Sequence, residues 1–316
     1  MSDPCSLLGC GSDDERYLEA EDYESAMPRW CSGCGDHAVL NSVEQVLSGE
    51  QLPRERTVFV SGIGCSGRFP HYVNTYGFHG IHGRALPIAT GVKLSRPDLH
   101  VFAVMGDGDC CSIGAGHWIH AIRYNVDMVA MMLDNNIYGL TKNQTSPTTP
   151  QGMKTMTQPE GSYLPALNPL SATLGVTNAS FVAQTCDWVP GHLYKTLLAA
   201  QRHKGFSFVR VLQRCPVFTP GIFDSAARKP EQTVLLTHED GIHDPDLEAI
   251  YKTHIRHDPA DLDEARELAE DAGAVRIGIF YRNESLARYD ETRHVPHHSA
   301  ADKLALLESE FDRYVA

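Results

Sequence analysis

A mostly parallel β-sheet with helices on both faces, an α/β fold, is what this sequence predicts. Three observations carry that expectation: short apolar segments such as TVFVS (57–61), HVFAVM (100–105) and VDMVAMML (126–133), helical spacing between them, and turns rich in Gly, Asp and Asn at their carboxyl ends. Strands buried on both faces lose the in–out alternation of a half-exposed sheet, and crossover helices cover them.

The elements follow in order. GDHAVLNSVEQVLS (35–48) brings Val39, Leu40, Val43, Val46 and Leu47 to one side at helical spacing. Strand 57–61 precedes a helix of small residues over 83–95. Strand 100–105 precedes a helix near 112–124, and strand 126–133 follows. A helix over 191–203 leads to a strand at 206–213. Between them, residues 137–178 lack regular pattern and are rich in Thr, Gln, Pro and Gly, the mark of a functional loop. Beyond 226 the texture changes to His- and Asp-rich loops, with a helix at 262–273, a strand at 274–283 and a last helix near 300–314.

The chain of 316 residues is therefore divided into an acidic tail (1–25), a binding domain (26–225) and a C-terminal extension (226–316). The tail carries few large apolar side chains, which suits a disordered segment or one borrowed by a partner. The net charge of −13 sits at the ends, and the middle is mildly positive. No basic stripe favours nucleic acid. A positive middle suits small anions such as phosphates and carboxylates. No apolar run approaches the roughly 18 residues of a membrane span, and the acidic N-terminus does not resemble a signal peptide. A cytoplasmic protein without structural disulfides is expected, so its nine cysteines need another explanation.

Two constellations carry chemistry. The strand at 100–105 ends in Gly106-Asp107-Gly108-Asp109, and that at 126–133 ends in Asp134-Asn135-Asn136. In a parallel unit these ends are neighbours on the carboxyl edge, where ligands of open α/β sheets bind. Glycine lets backbone approach a phosphate, and the following helix N-terminus aims at the same place. Asp107, the Asn135 amide oxygen and the Ile137 carbonyl would give Mg²⁺ hard oxygen ligands beside a diphosphate. Asn136 is the alternative amide, and Asp109 orients neighbours. A GDG turn, 26 residues and a pair of asparagines resemble the thiamine-diphosphate-binding motif.

The second constellation is Cys31 and Cys34 in WCSGCG, Cys65 in GIGCSG and Cys215 in RCP. The last two follow strands, on the same edge as the diphosphate site. Four thiolates suit a [4Fe–4S] cluster or a structural Zn²⁺, and spacing alone favours neither. Cys5, Cys10, Cys110, Cys111 and Cys186 have weaker claims.

Together, WCSGCGDH (30–37), the stretch 61–99 beginning SGIGCSGRFPHY, GDGD (106–109) and DNNIYGLTKNQTSPTTPQG (134–152) resemble the β subunits of the 2-oxoacid:ferredoxin oxidoreductases, most of all the 2-oxoglutarate type. That resemblance implies a thiamine-diphosphate-binding fold and assigns Cys31, Cys34, Cys65 and Cys215 to one [4Fe–4S] cluster. It implies reversible, CoA-dependent oxidative decarboxylation of 2-oxoglutarate to succinyl-CoA and CO2, with electrons leaving to ferredoxin. An α subunit would supply the activating glutamate, in a heterodimer or a dimer of heterodimers, and this chain would be inactive alone. Gly64, Cys65, Ser66, His82, Gly106, Asp107, Gly108, Asp109, Asn135, Ile137, Gly139 and Leu140 would contact the cofactor. His82 and Arg84 would face the reacting groups, His82 sharing protons with the carbonyl. Arg68 and Lys142 are the candidates for the distal carboxylate of a dicarboxylic substrate. Asn143 departs from the glycine common at its place. The rival readings are the same chemistry on pyruvate or a broad range of 2-oxoacids, a non-redox thiamine-diphosphate decarboxylase, and a zinc-stapled regulatory module.

Overall fold

The computed structural model describes residues 16–271, 273–293 and 299–314. In chain order come α1 (Asp36–Gly49), β1 (Thr57–Ser61), β2 (Tyr76–His79), α2 (Ala85–Ser95), β3 (His100–Gly106), α3 (Asp107–Cys111), α4 (Ala115–Tyr124) and β4 (Met128–Asp134). Next are β5 (Ile137–Tyr138), β6 (Gln144–Thr145), α5 (Pro169–Leu174), β7 (Phe181–Cys186), α6 (Pro190–Arg202) and β8 (Phe206–Leu212). The last part holds α7 (Asp224–Arg228), β9 (Thr233–Thr237), α8 (Pro245–Ile250), β10 (His254–Arg256), α9 (Leu262–Glu270), β11 (Val275–Arg282), α10 (Tyr289–Thr292) and α11 (Ala300–Asp312).

Nine strands form one sheet in the order β10-β9-β11-β7-β8-β4-β3-β1-β2. Every pairing is parallel except β11 with β7. The carboxyl ends of β1, β3, β4 and β8 therefore share one edge. The period of two divides each strand between two cores. Val58, Val60, Ala103, Met105, Ala130 and Met132 pack on one face, with α2 and α4. Phe59, Phe102, Val104, Val129, Met131 and Leu133 pack on the other, with α1 and α6. Two cores on two faces are why these strands read as unbroken apolar runs.

Phe59 is wholly buried, stacked on Phe102 at 4.8 Å between centroids and on Phe69 at 5.8 Å. Phe59→Ala should cost ~3–5 kcal/mol of stability in denaturant unfolding, by lost transfer energy and a cavity. A loss under ~1 kcal/mol would mean that this layer is not the core.

The structure differs from expectation at four places. The helix expected near 112–124 is α4, which starts at Ala115, and a short unforeseen helix, α3, precedes it from Asp107 directly on the end of β3. Asp and Gly residues made the first turn look like loop. Strands β2 and β7 were not foreseen; all four residues of β2 are exposed, and it forms the sheet edge. The acidic segment packs from residue 16 onward. Tyr23 is fully buried and donates to the Leu52 carbonyl at 2.7 Å, and the Leu18 carbonyl accepts from Ser48 and Gln51. Residues 1–15 lie outside the described residues. Beyond 226, β9, β10 and β11 continue the main sheet, where the sequence suggested only an extension docked on the core or onto a partner. Among the described residues, no helix is long and apolar enough to cross a membrane.

Candidate active site

A cleft opens over the carboxyl ends of β1, β3, β4 and β8. Gly64–Ser66 after β1, Gly106–Asp109 at the β3–α3 junction, and Asn135, Ile137, Gly139 and Leu140 after β4 all line it. His82 does not. Asp36, Tyr138, Thr141 and Gln213 line it as well and escaped the sequence reading.

Asp107 is buried at the start of α3 and accepts hydrogen bonds on Oδ2 from Ser146 Oγ (2.5 Å) and Thr148 Oγ1 (2.7 Å). Burial first, and then the charge of Asp134, raises its carboxyl above the usual range. Asp134 has its own cation: Arg210 meets its Oδ2 at 2.6 Å. Among the described residues no basic side chain pairs with Asp107. A buried carboxylate lacking a counter-charge is what a cation site requires.

Asn135 and Asn136 play different parts. The Asn135 oxygen faces its own turn, accepting from the Ile137 N–H at 3.2 Å. Asn136 sits at φ +60°, a left-handed conformation that asparagine tolerates, and is tied to the 146–149 turn. Its Nδ2 donates to the Thr148 carbonyl, and its own carbonyl accepts from Thr149. The first bond ties the Asn136 side chain to that turn through its nitrogen, the second through its backbone. Tyr138 donates to the Gly108 carbonyl at 2.7 Å, and a Cβ on Gly108 would stand 2.3 Å from the Tyr138 ring. Only glycine fits between them.

Asp109 borders the cleft but turns its carboxylate to its neighbours. Its Oδ1 accepts from the Gly83 N–H at 2.7 Å and lies 2.6 Å from His82 Nδ1. Its Oδ2 is buried without a partner against Gly62, where a Cβ would come within 1.5 Å. His82 packs edge-on to Tyr138, with centroids 5.8 Å apart. Arg84 points its Nη1 at backbone carbonyls of Gly83 and Ile113. Arg68 donates to the Arg29 carbonyl at 2.9 Å. Lys142 is exposed at φ +75°, followed by Asn143 at φ +69°, a left-handed conformation that asparagine tolerates and glycine adopts freely. Neither Arg68 nor Lys142 lines the cleft.

Three segments are stitched together around the four cysteines. Gly33, at φ +79°, makes the turn in which the Cys34 N–H meets the Cys31 carbonyl at 3.0 Å. The Gly35 N–H donates to the Arg214 carbonyl, and Trp30 Nε1 to the Cys65 carbonyl at 2.8 Å. The sulfurs are near enough to oppose one another's ionisation. Burial, then Asp36, then Cys215 and Cys31 push the Cys65 thiol up to about 12. Burial, then Asp36, raises Cys34 further. Two N–H groups nevertheless donate to sulfur: Gln213 Nε2 to Cys34 at 3.2 Å and the Phe218 amide to Cys215 at 3.5 Å. Cys34, a buried thiol that is costly to ionise yet served by a donor, fits a cationic iron centre. Among the described residues no three His, Cys, Asp or Glu side chains converge as they would on a single ion. Asp36, beside them, is fully buried, and burial lifts it to about 7 against the opposing effect of the neighbouring Cys34 thiol.

Comparison with known proteins agrees with this geometry. Residues 62–211 match the family described as thiamine pyrophosphate enzyme, C-terminal TPP binding domain, and 247–297 match the C-terminal part of the pyruvate ferredoxin oxidoreductase β subunit. The chain is 47% identical over 216 residues to a 2-oxoglutarate oxidoreductase subunit, KorB, of Mycobacterium tuberculosis, covering 68% of this chain and 58% of that relative, less than two thirds of its length. It is 37% identical over 273 residues to a 2-oxoacid:ferredoxin oxidoreductase subunit beta of a Sulfolobus species, covering 83% of this chain and 84% of that one. Among solved structures, it superimposes with a TM-score of 0.78 and 33% identity on a 2-oxoglutarate:ferredoxin oxidoreductase from Magnetococcus marinus, determined with 2-oxoglutarate, coenzyme A and succinyl-CoA bound. That match covers 93% of this chain and 97% of the other. With a thiamine pyrophosphate domain and a long match at this identity, the chain belongs to the β subunits of the 2-oxoacid:ferredoxin oxidoreductases.

Proposed function

We propose that this chain is the β subunit of a CoA-dependent 2-oxoglutarate:ferredoxin oxidoreductase. The reaction converts 2-oxoglutarate and CoA to succinyl-CoA and CO2, and two electrons leave one at a time to ferredoxin. The observation that carries the reading is the shared rim: an unpaired buried carboxylate at Asp107 and Cys65, one of the four stitched cysteines, border one cleft. Thiamine diphosphate supplies the electron sink for decarboxylation, and a [4Fe–4S] cluster a one-electron acceptor.

The residues then divide the work. Asp107, the Asn135 amide oxygen and the Ile137 carbonyl would hold Mg²⁺ and with it the diphosphate. Gly106 and Gly108 let the backbone come close to it, and Gly64–Ser66 and Gly139–Leu140 border the rest of the cofactor. Cys31, Cys34, Cys65 and Cys215 would hold the cluster. Asp109 fixes the His82 ring, which with Arg84 stands next to the cleft as the proton-handling and charged pair. An α subunit would complete the site with the activating glutamate, and a cytoplasmic ferredoxin would take the electrons.

A second reading, pyruvate or a broad range of 2-oxoacids, is favoured by one observation: the two cations expected for a distal carboxylate stand off the cleft. The test is to purify the chain with its partner subunit without oxygen and to compare 2-oxoglutarate with pyruvate in CoA-dependent reduction of a viologen. Preference for 2-oxoglutarate is expected, and Arg68→Ile should lower its kcat/KM at least ~10-fold more than that for pyruvate, the worth of a lost charge-assisted pair. Equal or better use of pyruvate by the wild type would overturn the substrate assignment. Equal losses in the variant would move Arg68 out of the substrate site.

A further inference from the structure

We propose that Gln213 is a positioning residue that raises the reduction potential of the iron–sulfur cluster, through an N–H···S bond to Cys34; the inference rests on the reading of the four cysteines above. Gln213 follows β8, is almost fully buried, and lines the cofactor cleft. Its backbone N–H donates to the Asp134 carbonyl at 2.9 Å, which locks the end of β8 to the end of β4.

The side-chain amide can point only one way. Its Nε2 lies 2.7 Å from the Arg214 carbonyl oxygen, which can only accept, so the NH2 group must face it. The same nitrogen stands 3.2 Å from Cys34 Sγ. With no lone pair to offer, that nitrogen makes the sulfur the acceptor, as a cysteinate ligand is and as a buried thiol need not be.

When the cluster takes up one electron, the added negative charge spreads onto its sulfur ligands. A donor already aimed at Cys34 then stabilises the reduced state more than the oxidised one. Hydrogen bonds to ligand sulfurs are among the levers that set such potentials. The Phe218 amide acts in the same sense on Cys215. Gln213 also lines the cleft, so one side chain borders both the proposed cofactor site and a proposed cluster ligand.

The test uses the complex of this chain with its partner subunit, prepared without oxygen, with Gln213→Met and Gln213→Glu. Met fills similar space without a donor, and Glu keeps the shape while adding charge. Iron content and EPR-monitored redox titration are read for all three proteins. Iron per chain should be unchanged. At a fixed potential the ratio of reduced to oxidised cluster should fall about tenfold in Gln213→Met, the size of one hydrogen bond to a charged group, or ~59 mV for one electron. Gln213→Glu should shift it further in the same direction. Potentials equal to wild type with clusters intact would overturn the proposal. So would loss of iron from both variants, which would make Gln213 a scaffold only. A wild-type complex with no iron–sulfur signal would instead overturn the reading of the cysteines themselves.

Discussion

Asp107→Asn should weaken thiamine diphosphate binding in the presence of Mg²⁺ by at least ~100-fold and abolish turnover to match; even partners one shell further out typically cost 10–100-fold. The reason is charge, not shape. Asparagine keeps the volume and an oxygen, and the β3–α3 junction survives. Mg²⁺ is held in such sites by one or two carboxylates, and Asp107 is the one carboxylate among its proposed ligands. Asp134 cannot replace it, because Arg210 and the Asn136 N–H occupy its two oxygens. Titration of the apo-complex with thiamine diphosphate and Mg²⁺ measures the effect. Affinity within a fewfold of wild type would remove Asp107 from the metal site.

The second large effect is expected at Cys34. Cys34→Ser should abolish viologen reduction, strip most of the iron, and leave thiamine diphosphate affinity near wild type. Cys34 is buried and does not line the cofactor cleft, so its loss separates the two centres. Serine is a poor ligand for iron that prefers thiolate. Iron content, visible colour after anaerobic purification and cofactor titration check the three parts independently. A variant that keeps its iron would mean that the fourth ligand lies elsewhere.

Much of the sheet was legible because its central strands are buried on both faces. Residues 57–61, 100–105 and 126–133 announce themselves by composition, and the carboxyl-edge rule then brings Asp107 and Asn135 together without any structure. What escaped had weaker local signals. Strand β2 is exposed and only four residues long, so nothing in YGFH alternates with a core. Strand β7 carries Gln, Thr and Cys among its six residues, and their burial comes from tertiary position, not periodicity. The first turn of α3 consists of Asp, Gly and Cys, poor helix formers held by their place at the strand end.

The same limit applied to the site. Candidate ligands could be proposed from Asp, Asn and Cys, whereas the residues that orient these side chains could not be foreseen. Ser146 and Thr148 reach Asp107 from a loop about forty positions away, and Gln213 reaches Cys34 across the chain. The stretch TSPTT held a faint sign, hydroxyls grouped in a loop too long to be filler. Arg68 and Lys142 show the opposite case. Their chemistry suits a distal carboxylate, yet neither lines the cleft of this chain, and Arg68 donates to the Arg29 carbonyl.

The most direct measurement is a substrate-reduction experiment on the oxygen-free complex with its partner subunit. With 2-oxoglutarate, CoA and no external acceptor, a one-electron-reduced [4Fe–4S] signal should rise in the EPR spectrum within the turnover time, and should fail to rise in Cys34→Ser. An intact cluster that stays oxidised while CO2 is released would contradict the account, because decarboxylation and electron acceptance would then not be coupled across this rim.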